Sequence, residues 1–294
     1  MKTRSWLFVP GDSEAKLAKV TGCGADVVVV DLEDAVAPQA KGHARILVRQ
    51  WLDAHRQQVI AGGGFHRWVR INAVGGHLWR DDLMQILPGR PDGIMVPKAL
   101  GLDQMRMLAA EIYEVEQRSG IAPGSTRIVP QLGESPLSAL TIADYAREDM
   151  PRLAGLAWGA EDLAAAIGAS RKRDATGNWT DVFRMVRAQV LLAARARGLA
   201  PIDTLHADFR DLAALKAIAA ASYADGFAGM LAIHPDQVPV INAAFSPDAA
   251  ELAEARAIVE LFAANPGVGA LALGGRMVET PHLERARRLL AQAG

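Results

Sequence analysis

Asp31, Glu33 and Asp34 fall within four positions, directly after four consecutive valines, Val27 to Val30. A run of that kind suits a strand buried on both faces, so the acids mark the end at which the chain leaves a dry interior. Other apolar runs close on polar residues in the same way. Arg70 and Asn72 follow one, Lys98 another, Gln131 and Glu134 a third, Glu161 and Asp162 a fourth, with Asp203 and His234 ending two more. Gathered at one mouth, that many carboxylates would raise one another's pKa and strain the fold unless cations stood among them. The acid excess therefore predicts a bound metal, or cationic neighbours such as Arg70 and Lys98. Oxygen-only ligands select a hard ion, Mg²⁺ with Mn²⁺ as a substitute, held by one or two carboxylates with water and substrate oxygens completing the octahedron.

Bringing those ends together requires parallel strands. Eight runs of branched and apolar residues recur: Ser5 to Gly11, Asp26 to Asp34, Arg67 to Asn72, Gly93 to Lys98, Arg127 to Glu134, Leu153 to Asp162, Ala200 to Leu205 and Phe227 to Pro235. Helical stretches with apolar residues returning at three and four separate many of them, among them "LDQMRMLAAEIYEVEQRSG" and "TDVFRMVRAQVLLAARARG". Alternating strands and helices of this length predict an α/β fold, a TIM (β/α)₈ barrel over residues 1–245 followed by a C-terminal helical extension or lid over 246–294. The polar strand ends then share the carboxyl rim, where such barrels do their chemistry. A two-domain doubly wound fold is the competitor, and no Gly-x-Gly-x-x-Gly follows the first strand to support it.

The totals narrow the function classes. Among 294 residues, 32 Lys+Arg against 33 Asp+Glu leave no field that would gather nucleic acid or an anionic membrane surface. No stretch is long and apolar enough to span a bilayer, and the expectation is a soluble, cytoplasmic protein. A single cysteine, Cys23, excludes an internal disulfide and a thiolate zinc site.

The ordered set "RSWLFVPG", "DVVVVDLEDAV", "RWVRIN", "GIMVPK", "GAEDLAAAIG" and "GMLAIHPDQ" is similar to the citrate lyase β-subunit-like proteins of the HpcH/HpaI aldolase family, which also holds malyl-CoA and citramalyl-CoA lyases. The resemblance runs from Arg4 to about Pro281. It implies a TIM barrel, Mg²⁺, and reversible carbon–carbon cleavage of a 3-hydroxyacyl thioester, carried on coenzyme A or a carrier protein. It also implies homo-oligomers, trimers or hexamers, in which a C-terminal lid reaches a neighbour's site. By this resemblance Glu134 and Asp162 are the metal ligands, and Arg70 clamps the substrate carboxylate. Asn72 and Glu134 join Arg70 in substrate binding, Asp31, Glu33 and Asp34 form an acid wall beside the metal, and His234 shapes the last loop. Asp31 and Asp34 are candidates, beside Arg70 and Glu279, for the catalytic set, in which a carboxylate of the wall takes the substrate's hydroxyl proton directly or through a metal-bound hydroxide. Two positions depart from the family pattern. "QLGESP" replaces the common Ile-Glu-Thr surroundings of the first metal ligand, and "GGRMVETP" places Glu279 where the lyases carry a mobile catalytic Asp.

Plainer readings stand beside each of these. Asp31 to Asp34, Glu134, Glu161 and Asp162 could be first-turn acids of helices, and Arg70 a structural ion-pair partner. Lys98 could be the amine of a Schiff-base aldolase, or an ion-pair neighbour of the acid wall. The basic stretch "RKRDATGNW" could meet coenzyme A phosphates or be a solvated loop. A class II aldolase acting on free hydroxy-keto acids, and a non-autonomous citrate-lyase-type β subunit, are the alternative functions.

Overall fold

The computed structural model describes residues 2–56 and 64–293. Eight parallel strands close into a barrel: β1 (Ser5–Pro10), β2 (Val27–Asp31), β3 (His66–Arg70), β4 (Gly93–Val96), β5 (Arg127–Leu132), β6 (Gly155–Trp158), β7 (Ala200–Asp203) and β8 (Gly229–Ala232). Each pairs with the next, and β8 pairs back with β1. All eight apolar runs form strands; Asp31, Arg70, Gln131 and Asp203 lie within the last residues of theirs, while Glu33, Asp34, Asn72, Lys98, Glu134, Glu161, Asp162 and His234 lie beyond the strand ends.

Side-chain alternation decides what enters the barrel. Trp6, Val27, Val29, Trp68, Met95, Val129, Ala157, Ile202 and Leu231 form one buried cluster with a member from every strand. Stepping two residues on from Trp6, Val29, Trp68 and Val129 carries Phe8, Asp31, Arg70 and Gln131 to the carboxyl mouth on the same inward face. The register places Asp31 directly beside Arg70. Val28 and Val30 face the other way and are also fully buried, which accounts for the unbroken valine run.

Nine helices of the described chain accompany the strands: α1 (Glu14–Val20), α2 (Lys41–Ala54), α3 (Trp79–Ile86), α4 (Leu102–Arg118), α5 (Pro136–Thr141), α6 (Ala160–Ile167), α7 (Asp181–Ala196), α8 (Leu212–Asp225) and α9 (Gln237–Ala244). Their entries carry their own signals. Ser135 caps α5 by accepting from the Ser138 amide at 3.2 Å, and Asp211 caps α8 by accepting from Ala214 N at 2.9 Å. Asp203, expected at the rim, is instead fixed in the wall: it accepts from Trp158 Nε1 at 2.7 Å and Arg187 Nε at 2.9 Å.

Contacts divide the chain into two compact units, one of Thr3–Asn242 and one made chiefly of Ala243–Gly294. The second unit contains α10 (Ala249–Ala264), a hairpin of β9 (Ala270–Leu273) and β10 (Arg276–Glu279), and α11 (Thr280–Ala293) around Ala255, Ile258, Val278 and Ala286. The helical extension expected over 246–294 is present as α10 and α11, with the hairpin inserted between them, where Gly274 and Gly275 adopt φ of 56° and 80°, the left-handed pair that a tight two-residue turn needs.

Near β5, which carries Gln131 and leads into Glu134, the buried Glu116 carboxylate at the end of α4 takes four hydrogen bonds. Gly124 N and Thr126 N donate at 2.9 and 3.0 Å, and the two Nη atoms of Arg152 at 2.9 and 2.7 Å. Burial alone would raise this carboxyl, but Arg152 and the backbone amides outweigh it and hold it below the usual range. Its stabilisation is present above the unfolded-state pKa and is lost as pH falls through the lower folded value. Glu116→Ala strands Arg152 in the interior, so urea unfolding at pH 7 should show a loss of about 3–5 kcal/mol. The gap to the parent protein should narrow as the pH is lowered.

Candidate active site

At the carboxyl mouth Asp31 and Arg70 meet as neighbours on adjacent strands. Arg70 donates from Nε to Asp31 Oδ1 at 2.7 Å and from Nη2 to Asp31 Oδ2 at 2.6 Å, a planar fork that lysine could not copy. The amides of Glu33 and Ala35 donate to the same two oxygens at 2.9 and 3.1 Å. With four bonds accepted, Asp31 positions Arg70 and the loop and has no acceptor site left over. The guanidinium lies over the Phe8 ring, 4.6 Å from its centroid, and its Nη1 lies 3.3 Å from Glu33 Oε2.

The loop after β2 is held from beneath. Lys41, buried at the start of α2, donates to the Leu32 and Glu33 carbonyls at 2.7 and 2.6 Å. That clamp turns the Glu33 side chain inward, where it is 5 % exposed. Lys98 donates to its Oε1. Its Oε2 lies 3.3 Å from Arg70 Nη1 yet outside hydrogen-bonding geometry, leaving a buried carboxylate oxygen without a hydrogen bond. Burial raises the Glu33 carboxyl, with Arg70 and Lys98 opposing. Asp34 is more exposed; Lys98 donates to its Oδ2 at 2.9 Å and, against burial, holds it below the usual range.

Glu134 enters from the end of β5, where Gly133 turns the chain with φ of 69°. It is 4 % exposed. Gln131 Nε2 donates to its Oε1 at 3.1 Å, and the Lys98 backbone amide donates to its Oε2. Asp162 comes from the first turn of α6, with its Oδ1 3.7 Å from Lys98 Nζ. Lys98 therefore joins the two carboxylates, through its amide on one side and its ammonium on the other. Burial and the charge of Asp162 push the Glu134 carboxyl up to about 8, even though Lys98 N–H and Arg70 oppose them.

These features fit a hard divalent ion. The donors are carboxylate oxygens, Glu134 is a buried carboxyl whose ionised form a cation would stabilise, and Glu33 Oε2 lacks a hydrogen-bond donor. Among the described residues no group of three or more His, Cys, Asp or Glu side chains forms a closed cage. Two protein carboxylates with open positions for water and substrate are the arrangement Mg²⁺ tolerates best.

Other expected residues go elsewhere. Asn72 is buried, and both its backbone and side-chain nitrogens donate at 2.7 Å to Asp82, which also accepts from Arg45 Nε at 2.7 Å. The side-chain N–H₂ expected to meet substrate thus ties the loop after β3 to α3. Glu161 pairs with Lys172 at the surface. His234 stacks on Phe209 with ring centroids 4.9 Å apart, while the neighbouring Gln237 accepts from Ile233 N at 2.8 Å and fixes that last loop. Glu279 ends β10 in the second unit, where its amide donates to His282 Nδ1 at 3.1 Å. Sequence reasoning overlooked Lys41 and Gly159. A lysine in a first helical turn, and a glycine before a helix, carry no signal of their own.

Residues 4–235 match the family described as HpcH/HpaI aldolase/citrate lyase. The chain is 37 % identical over 290 residues to a citrate lyase subunit beta-like protein of Mycobacterium tuberculosis, covering 98 % of this chain and 95 % of that one. It is 32 % identical over 292 residues to a (3S)-malyl-CoA thioesterase of Cereibacter sphaeroides, covering 99 % and 94 %. A crystal structure of the protein CitE from M. tuberculosis in complex with magnesium, acetoacetate and coenzyme A superposes with a TM-score of 0.78 at 35 % identity, covering all of this chain and 98 % of the other.

A Cβ added at Gly159 would stand 2.3 Å from Glu134 Oε1, so the glycine is what lets that carboxylate lie against the start of α6. Gly159→Ala should leave the circular dichroism of the barrel intact. Calorimetric titration should show Mg²⁺ binding at least about tenfold weaker, because the Glu134 carboxylate is displaced by an ångström or more.

Proposed function

This chain belongs to the HpcH/HpaI aldolase/citrate lyase family, and from that premise we propose that it is a Mg²⁺-dependent carbon–carbon lyase. It cleaves, or in reverse forms, a 3-hydroxyacyl thioester such as citramalyl-CoA or malyl-CoA, giving a 2-keto acid and an acyl-CoA. The observation that carries this reading is the Arg70 fork fixed by Asp31 beside the Glu33, Asp162 and Glu134 carboxylates: a clamp for an organic acid next to a seat for a hard cation. The relatives and the liganded structure supply the thioester class.

Glu134 and Asp162 would hold the ion, which when bound lends Lewis-acid stabilisation to negative charge developing on substrate oxygen. Arg70 binds the substrate carboxylate through the donors Asp31 leaves available, and Asp31 keeps the guanidinium from turning. Glu33, buried and with one oxygen free of hydrogen bonds, takes the proton of the 3-hydroxyl. The O–H electron pair becomes the second bond of the new keto group. The bond between carbons 2 and 3 breaks, and its electrons pass into the enolate of the acyl thioester. Glu279, the carboxylic acid of the C-terminal segment, gives that enolate carbon a proton and removes one in the condensing direction. The Lys98 ammonium, bonded to both, favours the ionised forms of Glu33 and Asp34. The C-terminal segment acts as the lid, in a homo-oligomer of trimer or hexamer type.

A second reading comes from the thioesterase relative: water oriented by Glu33 would attack the thioester carbonyl, releasing the thiol and a free hydroxy acid. Incubating the purified protein with malyl-CoA and with citramalyl-CoA, each with Mg²⁺ or chelator, separates the two. The lyase yields glyoxylate or pyruvate with acyl-CoA, and the thioesterase yields free coenzyme A thiol. Turnover of pyruvate plus an aldehyde alone would mark a class II aldolase, and activity only beside partner subunits would mark a β subunit.

Arg70→Lys should lower kcat/KM by about 100-fold or more, since an ammonium cannot match both the Asp31 fork and a substrate carboxylate. Glu279→Ala should abolish cleavage while Mg²⁺ affinity, read by calorimetry, stays within about twofold of the parent. Joint loss of metal binding and cleavage in Glu279→Ala would contradict this division of roles.

A further inference from the structure

Lys98 stands at the centre of the carboxylate ring. Its residue adopts φ of 50°, a left-handed conformation that side chains with a Cβ enter only where surrounding contacts enforce it. That turn aims the backbone amide at Glu134 Oε2 and sends the side chain to Glu33 Oε1, to Asp34 Oδ2 at 2.9 Å, and to within 3.7 Å of Asp162 Oδ1. One residue thus touches every free carboxylate of the mouth. Its neighbour Glu33 keeps a buried oxygen with no hydrogen-bond donor, so the single ammonium does not saturate the ring.

We propose that Lys98 is a tethered counter-cation that competes with the divalent ion for the mouth carboxylates and so sets the ion's affinity and exchange. The inference rests on Glu134 and Asp162 being the ion's ligands. Four acidic groups held this close would repel one another apart without a cation; the ammonium offsets that repulsion and holds their side chains in place, so the ion meets a formed seat. The same charge opposes the ion's arrival. To bind, the ion must take over Asp162 while the ammonium, still anchored on Glu33 and Asp34, stays a few ångströms away. Lys98 therefore exchanges tight metal retention for a site that can load and release Mg²⁺ reversibly. A purely structural lysine predicts the opposite sign: its removal would loosen the ring and weaken the ion.

The test is Mg²⁺ titration by calorimetry on the full chain, without substrate, at pH 9 so that protons do not compete for the carboxylates. Lys98→Met and Lys98→Gln, the latter keeping a hydrogen-bond donor without charge, are expected to bind Mg²⁺ on the order of tenfold more tightly or better. Lys98→Arg, which keeps the charge, should not. The metal-free Tm of the two neutral variants should fall, and saturating Mg²⁺ should raise it by more than it raises the parent's. If the parent binds Mg²⁺ and the folded neutral variants bind it equally or more weakly, the counter-cation role is overturned and the metal site stands. If neither parent nor variants bind the ion, this inference falls together with the site on which it rests.

Discussion

The crowding of negative charge at the mouth of a closed barrel is the constraint from which the rest of the site follows. Asp31, Glu33, Glu134 and Asp162 arrive from three different strand ends, and the first three are almost wholly withdrawn from water. Each is answered in a different way. Asp31 is spent on Arg70 and two amides, and Asp34 and Asp162 face the Lys98 ammonium. Glu33 is only partly answered, and Glu134 keeps an elevated carboxyl despite its hydrogen bonds. That gradation divides the labour: a fully satisfied carboxylate holds geometry, while an under-compensated one keeps a demand that a cation or a substrate proton can meet.

The barrel was legible because its signals are local. Strands buried on both faces must be apolar almost throughout, and the switch to polar residues reports where each one reaches the rim. Alternation then sorts the inward face without any tertiary information: Val27, Val29 and Asp31 must point the same way. The C-terminal hairpin was not read, although its Gly274–Gly275 turn is a recognisable signal. Its strands are four residues each and lie between two long helices, so helical sequence fills most of any window wide enough to see it.

The acids of the site were legible by type and their partners were not. Arg70 reaches Asp31 across 39 positions of sequence, and Lys98 reaches Glu33 across 65. Such pairings come from strand register and loop direction, which no window of residues contains. Its position at a strand end beside acids suggests Lys98 as an ion-pair neighbour of the wall, and it is one; that its amide also binds Glu134 follows from a left-handed backbone that a Pro-Lys-Ala sequence does not announce. Asn72 and Asp203 show the converse. Both sit at strand ends, where polarity suggested the mouth, but a rim must also be fastened to its helices, and Asp82, Trp158 and Arg187 claim them for that purpose.

The altered surroundings of Glu134 illustrate which features of a motif the chemistry needs. Gly133 bends the chain and donates from its amide to Ser138 Oγ at 2.8 Å, and that hydroxyl donates onward to the Ala99 carbonyl at 2.5 Å, beside Lys98. Ser135 opens α5 by capping it. The segment is therefore secured to the end of β4 through backbone groups, a small turn residue and a cap, none of which depends on the Ile and Thr side chains common in the family pattern. What cannot change is the room into which Glu134 projects, bounded by Gly159 on one side and the Lys98 amide on the other. A carboxylate one bond longer or shorter at position 134 would miss that amide, so the constraint on the site lies in the reach of one side chain and the absence of another.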